Sequence, residues 1–138
     1  MGHQPTRRLS LISVVVDDYD SAIRYYCDVL GFVLKEDTTL SETKRWVVVL
    51  PSAGDGCGLL LAKAAGDEQR SRIGNQTGGR VFLFMHTDDF RRDYDMYRSL
   101  GVEFIREPVQ EAYGMVSVFR DRYGNLWDLI QPNQKHSV

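Results

Sequence analysis

The sequence predicts an α+β fold in which one unit, a strand, a helix and three further strands, occurs twice in tandem. The first observation is an internal repeat. Residues 11–32 and 82–102 each contain an apolar run, two aspartates followed by an aromatic residue, and a closing Leu-Gly pair. The second is the spacing, since the two Leu-Gly pairs, at 30–31 and 100–101, lie 70 positions apart. The third is the length of 138 residues, which suits one domain.

The first unit begins with a predicted strand over residues 11–16, which are rich in β-branched side chains. Asp18 or Asp20 can cap the helix that follows, because a short carboxylate accepts hydrogen bonds from the free amides of the first turn. Apolar residues then recur at helical spacing from Ala22 to Leu30, and Gly31 supplies the left-handed residue that ends many helices. A second strand is predicted over 32–35.

A hairpin completes each unit. In the first unit, strands over 44–50 and 58–62 flank six turn-forming residues. In the second unit, a helix with Phe90, Tyr94, Tyr97 and Leu100 on its apolar stripe ends at Gly101, and a strand follows over 102–106. Strands over 115–120 and 126–130 then flank a short turn. The sequence therefore predicts modules over 8–62 and 79–132, joined by a polar, glycine-rich segment, 63–78, that is a linker or a functional lid.

Composition excludes several classes of protein. The chain is 43% hydrophobic and 26% charged, as ordinary globular proteins are, and its net charge is −2. The basic residues form no stripe, so we expect no nucleic-acid partner. No apolar run approaches the ~20 residues of a membrane span, and the first apolar stretch is too short for a signal peptide. Cys27 and Cys57 suit a reducing compartment, with a disulfide left open. We expect a cytoplasmic protein without a membrane partner.

Several short segments, in this order and spacing, carry a resemblance to a known family. They are Val16-Asp17-Asp18-Tyr19, Tyr25-Tyr26, Leu30-Gly31-Phe32, Thr87-Asp88-Asp89-Phe90, Leu100-Gly101-Val102, Tyr113-Gly114 and the stretch from Asp121 to Trp127, in which Arg122 stands where proline is usual. Over residues 9–131 the chain resembles the vicinal oxygen chelate superfamily, which includes glyoxalase, bleomycin-resistance proteins and extradiol dioxygenases. The fold signal is stronger than the functional one, because one fold hosts many chemistries.

The resemblance implies two βαβββ modules packed side by side, whose strands form a curved sheet around a cup. In the enzymes of this family, four side chains in the cup, mostly His and Glu, hold a divalent metal that binds two vicinal oxygens of the substrate. Such a metal stabilises an enediolate-like charge as a Lewis acid. Family precedent and the exposed strand edges both indicate a homodimer. Whether one chain or two complete the cup stays open.

The residues at the family's metal-ligand positions do not favour a metal. Two of these positions fall on Leu11 and Phe82, and the third falls within 56–62, where there is no His, Asp or Glu. Only Asp128, at the fourth position, keeps a ligating side chain. His86 would raise the count to two, short of the three protein ligands of a catalytic zinc site, and His3 and His136 lie near the ends of the chain. We therefore expect no metal and no other cofactor.

Strand periodicity predicts which residues line the cup, because alternate residues of a strand share a face. Ile12, Val14, Val16, Leu83 and Met85 are expected to pack under the helices. The candidate ligand-binding residues are Leu11, Ser13, Arg45, Trp46, Phe82, Phe84, His86, Tyr113 and Asp128. A mostly apolar concavity with a few polar groups is typical of small-molecule sites.

Two classes of function compete on these grounds. The first is a metal-independent protein that binds a flat or apolar small molecule in the cup, similar to the bleomycin-resistance branch of the family. The second is a lyase, isomerase or dioxygenase of the glyoxalase kind, with a degenerate or unrecognised active site. Without a metal it would require proton transfer by the candidate catalytic residues His86 and Asp128. A pure interaction module is a third and weaker alternative.

Overall fold

A computed structural model of the chain describes residues 2 and 4–134; His3 and His136 lie outside the described residues. In chain order the elements are strand β1 (Leu11–Val16), helix α1 (Tyr19–Arg24) continued by a π-helical turn (Tyr25–Val29), β2 (Val33–Thr39), β3 (Arg45–Leu50), β4 (Gly58–Lys63), α2 (Gly66–Ser71), β5 (Val81–His86), α3 (Phe90–Ser99), β6 (Glu103–Phe104), β7 (Val109–Glu111), β8 (Gly114–Arg120) and β9 (Leu126–Pro132). None of the helices in the described part is long and apolar enough to cross a membrane.

The strands form two sheets of matching topology. The first has the order β1-β4-β3-β2, and the second has the order β5-β9-β8-β6, with β7 also paired to β8. In each sheet the opening strand runs parallel to the last strand of its unit, β1 beside β4 and β5 beside β9. The predicted α+β fold of repeated units is confirmed, and within one chain its strands form two sheets.

The caps of the two long helical segments follow from the repeated aspartates. A carboxylate oxygen of Asp18 accepts a hydrogen bond from the Ser21 amide at 2.8 Å, and Asp89 accepts one from the Arg92 amide at 3.1 Å. Asp18, rather than Asp20, is therefore the cap of α1. Each segment is followed by a glycine with positive φ, 78° at Gly31 and 90° at Gly101, the conformation that glycine adopts at low cost.

Three elements differ from the sequence-based expectation. The joining segment contains the short helix α2, whose ion pairs, Asp67 with Arg70 and Glu68 with Arg72, support a turn that hydrophobic periodicity cannot detect. Strand β7 was not predicted. Strand β6 covers only Glu103–Phe104, shorter than the expected 102–106.

One apolar core joins the two modules. The Tyr26 and Phe32 rings of the first module lie 6.3 and 5.8 Å from the Trp127 ring of the second, and Trp127 stacks on Phe119 at 5.7 Å. Alternate strand residues of both sheets, such as Val14 in β1 and Leu129 in β9, belong to this core. We call the opposite side of each sheet, which points away from the core, its front face.

The segment between the modules contacts both of them near its C-terminal end. The side-chain amide of Gln76 accepts a hydrogen bond from the Val15 amide at 2.9 Å and donates one to the Ser13 carbonyl at 3.2 Å. It thus occupies the free edge of β1 as a neighbouring strand would. Gly74 lies directly against the Tyr123 carbonyl, where a Cβ atom would come within 1.7 Å of the oxygen. The segment is therefore held against both modules.

Candidate functional site

The front face of the first sheet is mostly apolar. Parallel pairing sets Ser13 of β1 opposite Leu60 of β4, and antiparallel pairing sets Leu60 opposite Val48 of β3. Opposite residues share a face, so the alternation predicted from the sequence holds on these strands. The face carries Leu11, Ser13, Val15, Trp46, Val48, Leu50, Gly58, Leu60 and Ala62. Leu11, Ser13 and Trp46 are therefore together on it, as predicted.

Trp46 is partly exposed and lines two concavities. The larger, of about 480 Å³, is lined by Tyr19, Thr43, Lys44, Arg45, Trp46, Leu60, Leu61, Ala62, Lys63, Ala64, Ala65 and Gln69. The smaller, of about 280 Å³, is lined by Arg8, Ser10, Leu11, Lys35, Glu36, Trp46, Val48, Leu50, Asp55 and Gly56. The larger is built from residues of the first module and the joining segment, and the smaller from residues of the first module. The larger has the volume typical of a small-molecule site, and we call it the Trp46 cavity.

Helix α2 forms one wall of the Trp46 cavity. Gln69 of α2 and the preceding Ala65 both line it, and the Gln69 side-chain oxygen accepts a hydrogen bond from the Ala65 amide at 2.8 Å. This contact fixes the start of the helix over the cavity. The segment 63–78 therefore contributes directly to the candidate site.

Arg45 lines the same cavity, but its guanidinium is already engaged. It donates to both carboxylate oxygens of Asp37, at 3.1 and 2.7 Å, and to Asp20 at 2.9 Å. Its guanidinium also lies 5.1 Å from the centre of the Tyr19 ring. The hydrogen bonds from Arg45 lower the pKa of Asp37 below its ordinary value. Arg45 therefore ties α1, β2 and β3 together at the cavity wall.

The front face of the second sheet carries a different set of side chains. Pairing of β5 with β9 sets Phe84 opposite Asp128 and His86 opposite Ile130, and β8 contributes Val118 beside Asp128. Phe84 is 65% exposed, a large value for an aromatic side chain on a sheet. Phe84, His86 and Asp128 therefore share one face, as the sequence predicted.

Phe82 departs from the predicted alternation. A β-bulge lies between Val81 and Leu83, so the register of β5 shifts at Phe82. Its side chain is half-buried and packs against the core cluster together with Leu83 and Met85. The prediction that Phe82 shares a strand face with Phe84 and His86 is therefore wrong, because the bulge breaks the two-residue period of the strand.

His86 and Asp128 are not joined to each other. Their positions are diagonal in the β5–β9 register, and no hydrogen bond between them occurs in the described part of the chain. Burial raises the pKa of the Asp128 carboxyl, and the charge of Arg106 opposes that shift. His86 instead lines a groove between the modules with Thr87, Arg92 and other residues. The structure therefore contains no preformed acid–base pair at these two residues.

Tyr113 lies away from the Trp46 cavity, in the turn between β7 and β8. Its side chain is exposed, and its carbonyl accepts a hydrogen bond from the Asn133 amide at 3.0 Å. The following residue, Gly114, has φ 154° and no room for a side chain, since a Cβ atom would lie 2.2 Å from the Gln131 carbonyl oxygen. The Tyr113-Gly114 pair thus shapes the start of β8.

The chain matches a known protein family over most of its length. The family model of the Glyoxalase/Bleomycin resistance protein/Dioxygenase superfamily matches residues 8–129. The chain belongs to this superfamily. The match covers both modules and the segment between them, in agreement with the resemblance carried by the repeated sequence segments.

Individual relatives span nearly the whole chain. An uncharacterized protein of Shewanella frigidimarina is 54% identical over 128 residues, which are 92% of this chain and 95% of that protein. Among solved structures, UcmS2 is 32% identical with a TM-score of 0.78, covering 91% of this chain and 98% of its own. TnmS3, described as an antibiotic binding protein from Streptomyces sp. CB03234, is 27% identical with a TM-score of 0.74, covering 95% of this chain and all of its own.

The superfamily's metal-ligand positions lie on both sheets of this structure. Leu11 lies on the front face of the first sheet and Asp128 on that of the second, so side chains at two of these positions lie on different sheets. Within residues 2 and 4–134, no group of three or more His, Cys, Asp or Glu side chains could hold a metal ion. The described residues therefore do not fit the divalent metal of the superfamily's enzymes.

The sequence did not identify every residue of the Trp46 cavity. Lys44, Lys63 and Gln69 line it and were not among the predicted site residues. Lys44 begins the predicted strand over 44–50 and Lys63 follows the one over 58–62, and their position at one cavity follows only from the antiparallel pairing of β3 with β4. The sequence feature that could have pointed to Gln69 is the length of the segment 63–78, which indicates a linker or a lid.

Proposed function

We propose that this protein binds a flat, largely apolar small molecule in the Trp46 cavity, without a metal ion. The observation that carries the proposal is the partly exposed indole of Trp46 on an apolar sheet face beside a cavity of about 480 Å³. A rigid aromatic side chain at such a position offers a large contact area at little cost in conformational entropy. The apolar side chains of Leu60 and Ala62 favour the same kind of ligand.

Similarity to a binding protein supports this proposal over catalysis. TnmS3, which is described as an antibiotic binding protein, shares this fold and 27% of its residues with the chain. The separation of His86 from Asp128 gives no support to metal-free proton transfer by that pair. An aromatic antibiotic or metabolite is therefore the ligand class that we propose.

A thermal-shift screen of uncharged polycyclic antibiotics, flavones and similar metabolites tests the proposal, followed by titration of each hit with tryptophan fluorescence. The chain has two tryptophans, and Trp127 is buried in the core with 3% exposure. Quenching by a bound ligand should therefore come from Trp46 and disappear in Trp46→Phe. Trp46→Ala should weaken binding at least about tenfold, as truncation of a central aromatic residue does. Hits whose affinity is unchanged in Trp46→Ala would contradict this site, and a screen without hits would contradict the function.

We also propose that the protein is a homodimer in which a second copy covers the front face of the second sheet. The exposed side chain of Phe84 supports this, as do Ile105, Val109 and Tyr113, which are also exposed in the second module. Exposed large apolar side chains of this kind are commonly covered at an interface.

Light scattering after size-exclusion chromatography tests the dimer. The expected mass is twice the 15.8 kDa of one chain. Phe84→Glu should shift the protein towards the monomer, whereas Met96→Glu, at an exposed position on helix α3, should not. A mass of one chain at micromolar concentration, or a dimer that Phe84→Glu leaves intact, would contradict this arrangement.

We propose a cytoplasmic location, which rests on the state of the cysteines. Cys27 and Cys57 are both free thiols in the structure, and Cys57 is exposed. An exposed free thiol is suited to a reducing compartment. Cell fractionation that finds the protein outside the cytoplasm, or a disulfide in protein purified without reductant, would contradict this proposal.

A further inference from the structure

We propose that the Trp46 cavity recognises an anionic group of its ligand, such as a carboxylate, through the side chains of Lys44 and Lys63. This inference rests on the proposed small-molecule function and names the ligand class for that site: an aromatic body with an acidic substituent. The inference starts from the charges of the residues that line the cavity rather than from the shape of the cavity.

The cavity lining contains three cationic side chains and no acidic one. Lys44, Arg45 and Lys63 line it, whereas Asp and Glu are absent from its lining. The whole chain, by contrast, has more acidic than basic residues and a net charge of −2. A concavity lined by charges of one sign concentrates the field there and favours a ligand of the opposite sign.

Two of these three cations are available to a ligand. The Arg45 guanidinium is held by Asp20 and Asp37. Lys44 and Lys63 are exposed, and neither forms an ion pair with any residue of the described chain. Lys63 contributes a minor part to the lowered pKa of Asp18, whose carboxylate is held mainly by hydrogen bonds from Ser21.

The sheet register brings the two lysines to the same end of the cavity. Val48 pairs with Leu60 in the antiparallel β3–β4 ladder, so the start of β3 and the end of β4 lie together. Lys44 precedes the first residue of β3, and Lys63 is the last residue of β4. Both lysines line the Trp46 cavity at this end, and Trp46 and Leu60 line it further along the strands.

The acidic residues near the cavity are engaged by other groups. Asp67 and Glu68 of α2 pair with Arg70 at 2.6 Å and Arg72 at 3.1 Å. Arg45 holds Asp20 and Asp37, and the Ser21 amide donates a hydrogen bond to Asp18. Among the described residues, Lys44 and Lys63 are thus the cavity-lining cations that no ion pair engages.

The test compares three probes of one size and different charge, 2-naphthoate, 2-naphthalenemethanol and 2-naphthylmethylammonium, by calorimetry at low salt. We expect the carboxylate to bind most tightly and the ammonium most weakly, with the preference reduced by added sodium chloride. Lys44→Gln and Lys63→Gln should each weaken naphthoate binding about twofold to fivefold, in the range of exposed ion pairs, with little effect on the alcohol. The double variant should lose the preference for the anion.

Two control variants separate local from general charge effects. Arg80→Gln removes an exposed cation outside the cavity lining and should leave the preference for the anion unchanged. Lys63→Arg keeps the charge and should keep that preference.

Equal binding of naphthoate and the alcohol, or a preference that survives the double lysine variant, would overturn the anion proposal while leaving small-molecule binding intact. Binding of none of the probes, with uncharged hits still bound at Trp46, would overturn the anion proposal alone. No binding of any compound would overturn both.

Discussion

The Tyr26 hydroxyl donates a hydrogen bond of 2.6 Å to the Asp121 carboxylate, across 95 positions of sequence and from one module to the other. The same carboxylate oxygen accepts hydrogen bonds from the Trp127 indole at 3.1 Å and the Asn125 amide at 3.0 Å. The other oxygen accepts from the backbone amides of Tyr123, Gly124 and Asn125. Asp121 is only 3% exposed, so a buried charge is fully surrounded by donors where the modules meet.

The Tyr26 hydroxyl keeps its proton and so remains the hydrogen-bond donor in this contact. Burial, together with the nearby Asp121 carboxylate, raises the pKa of the Tyr26 hydroxyl far above its ordinary value. The hydroxyl therefore stays protonated, and able to donate, at neutral pH.

We predict that Tyr26→Phe lowers the free energy of unfolding by about 1–3 kcal/mol, because it leaves part of a buried carboxylate unpaired. Asp121→Ala should cost more, about 3–5 kcal/mol, because it leaves buried donors from both modules without their acceptor. Urea unfolding of both single variants and the double variant measures the coupling. The double variant should be less destabilised than the sum of the singles, and costs that add to within about 0.5 kcal/mol would contradict a direct link.

This contact shows how far the sequence could predict the fold. The sequence predicts a short turn between the strands over 115–120 and 126–130, and the Asp121 carboxylate accepts hydrogen bonds from the backbone of that turn. The bond to Tyr26 was beyond prediction, because it depends on how two distant modules pack. The repeat, the Asp18 and Asp89 caps and the glycine ends are local features, which is why the sequence predicted them.

The candidate site, too, could be predicted where it depends on local sequence and could not where it depends on strand pairing. Strand alternation correctly placed Phe84 and His86 on one face of β5, since that period is a local property. It failed at Phe82, because a bulge depends on the partner strand. The sequence also could not show that the two front faces belong to separate sheets, because sheet membership depends on how the strands pair.

A second prediction concerns how the segment 63–78 is held. Gly74 and Gly78 have similar positive φ, 72° and 68°, but only Gly74 touches another segment, the Tyr123 carbonyl. We expect Gly78→Ala to cost about 1–2 kcal/mol through backbone strain alone. Gly74→Ala should cost more, because its methyl group cannot fit without moving the segment.

The same two variants test whether the segment shapes the site. Displacing Gly74 should alter the wall that Ala65 and Gln69 contribute to the Trp46 cavity. Ligand hits should therefore bind more weakly to Gly74→Ala than to Gly78→Ala, as measured by fluorescence titration. Equal stability and equal affinity of the two variants would show that the close approach of Gly74 has no structural effect.

A third prediction follows from the raised pKa of Asp128, which burial causes. The carboxyl binds its proton more tightly in the folded chain than in the unfolded one, so its contribution to stability is most favourable at acid pH and is lost as the pH rises through the folded-state pKa. Asp128→Asn, which carries no charge, should therefore raise the melting temperature at pH 7. This advantage should shrink as the pH falls through the carboxyl pKa.

Differential scanning calorimetry at a series of pH values checks this, with Asp55→Asn as the control. Asp55 is exposed in the loop between β3 and β4, so its replacement should change the melting temperature little at either end of the series. A lower melting temperature for Asp128→Asn at pH 7 would mean that the charged carboxylate is stabilised in the folded protein, contrary to the prediction.

The last prediction is that the purified protein carries no stoichiometric divalent metal. Leu11 provides no ligand at one of the superfamily's metal positions, and Phe82 provides none at a second. Asp128 alone would hold a hydrated cation weakly, because affinity grows with the number of ligands at the right distance. Elemental analysis after dialysis without chelator should therefore find no zinc, nickel, manganese or iron near one equivalent, and EDTA should leave the melting temperature unchanged. One equivalent of metal, removed by EDTA together with a drop in melting temperature, would contradict metal-independent binding and restore the metal-dependent enzyme as the better hypothesis.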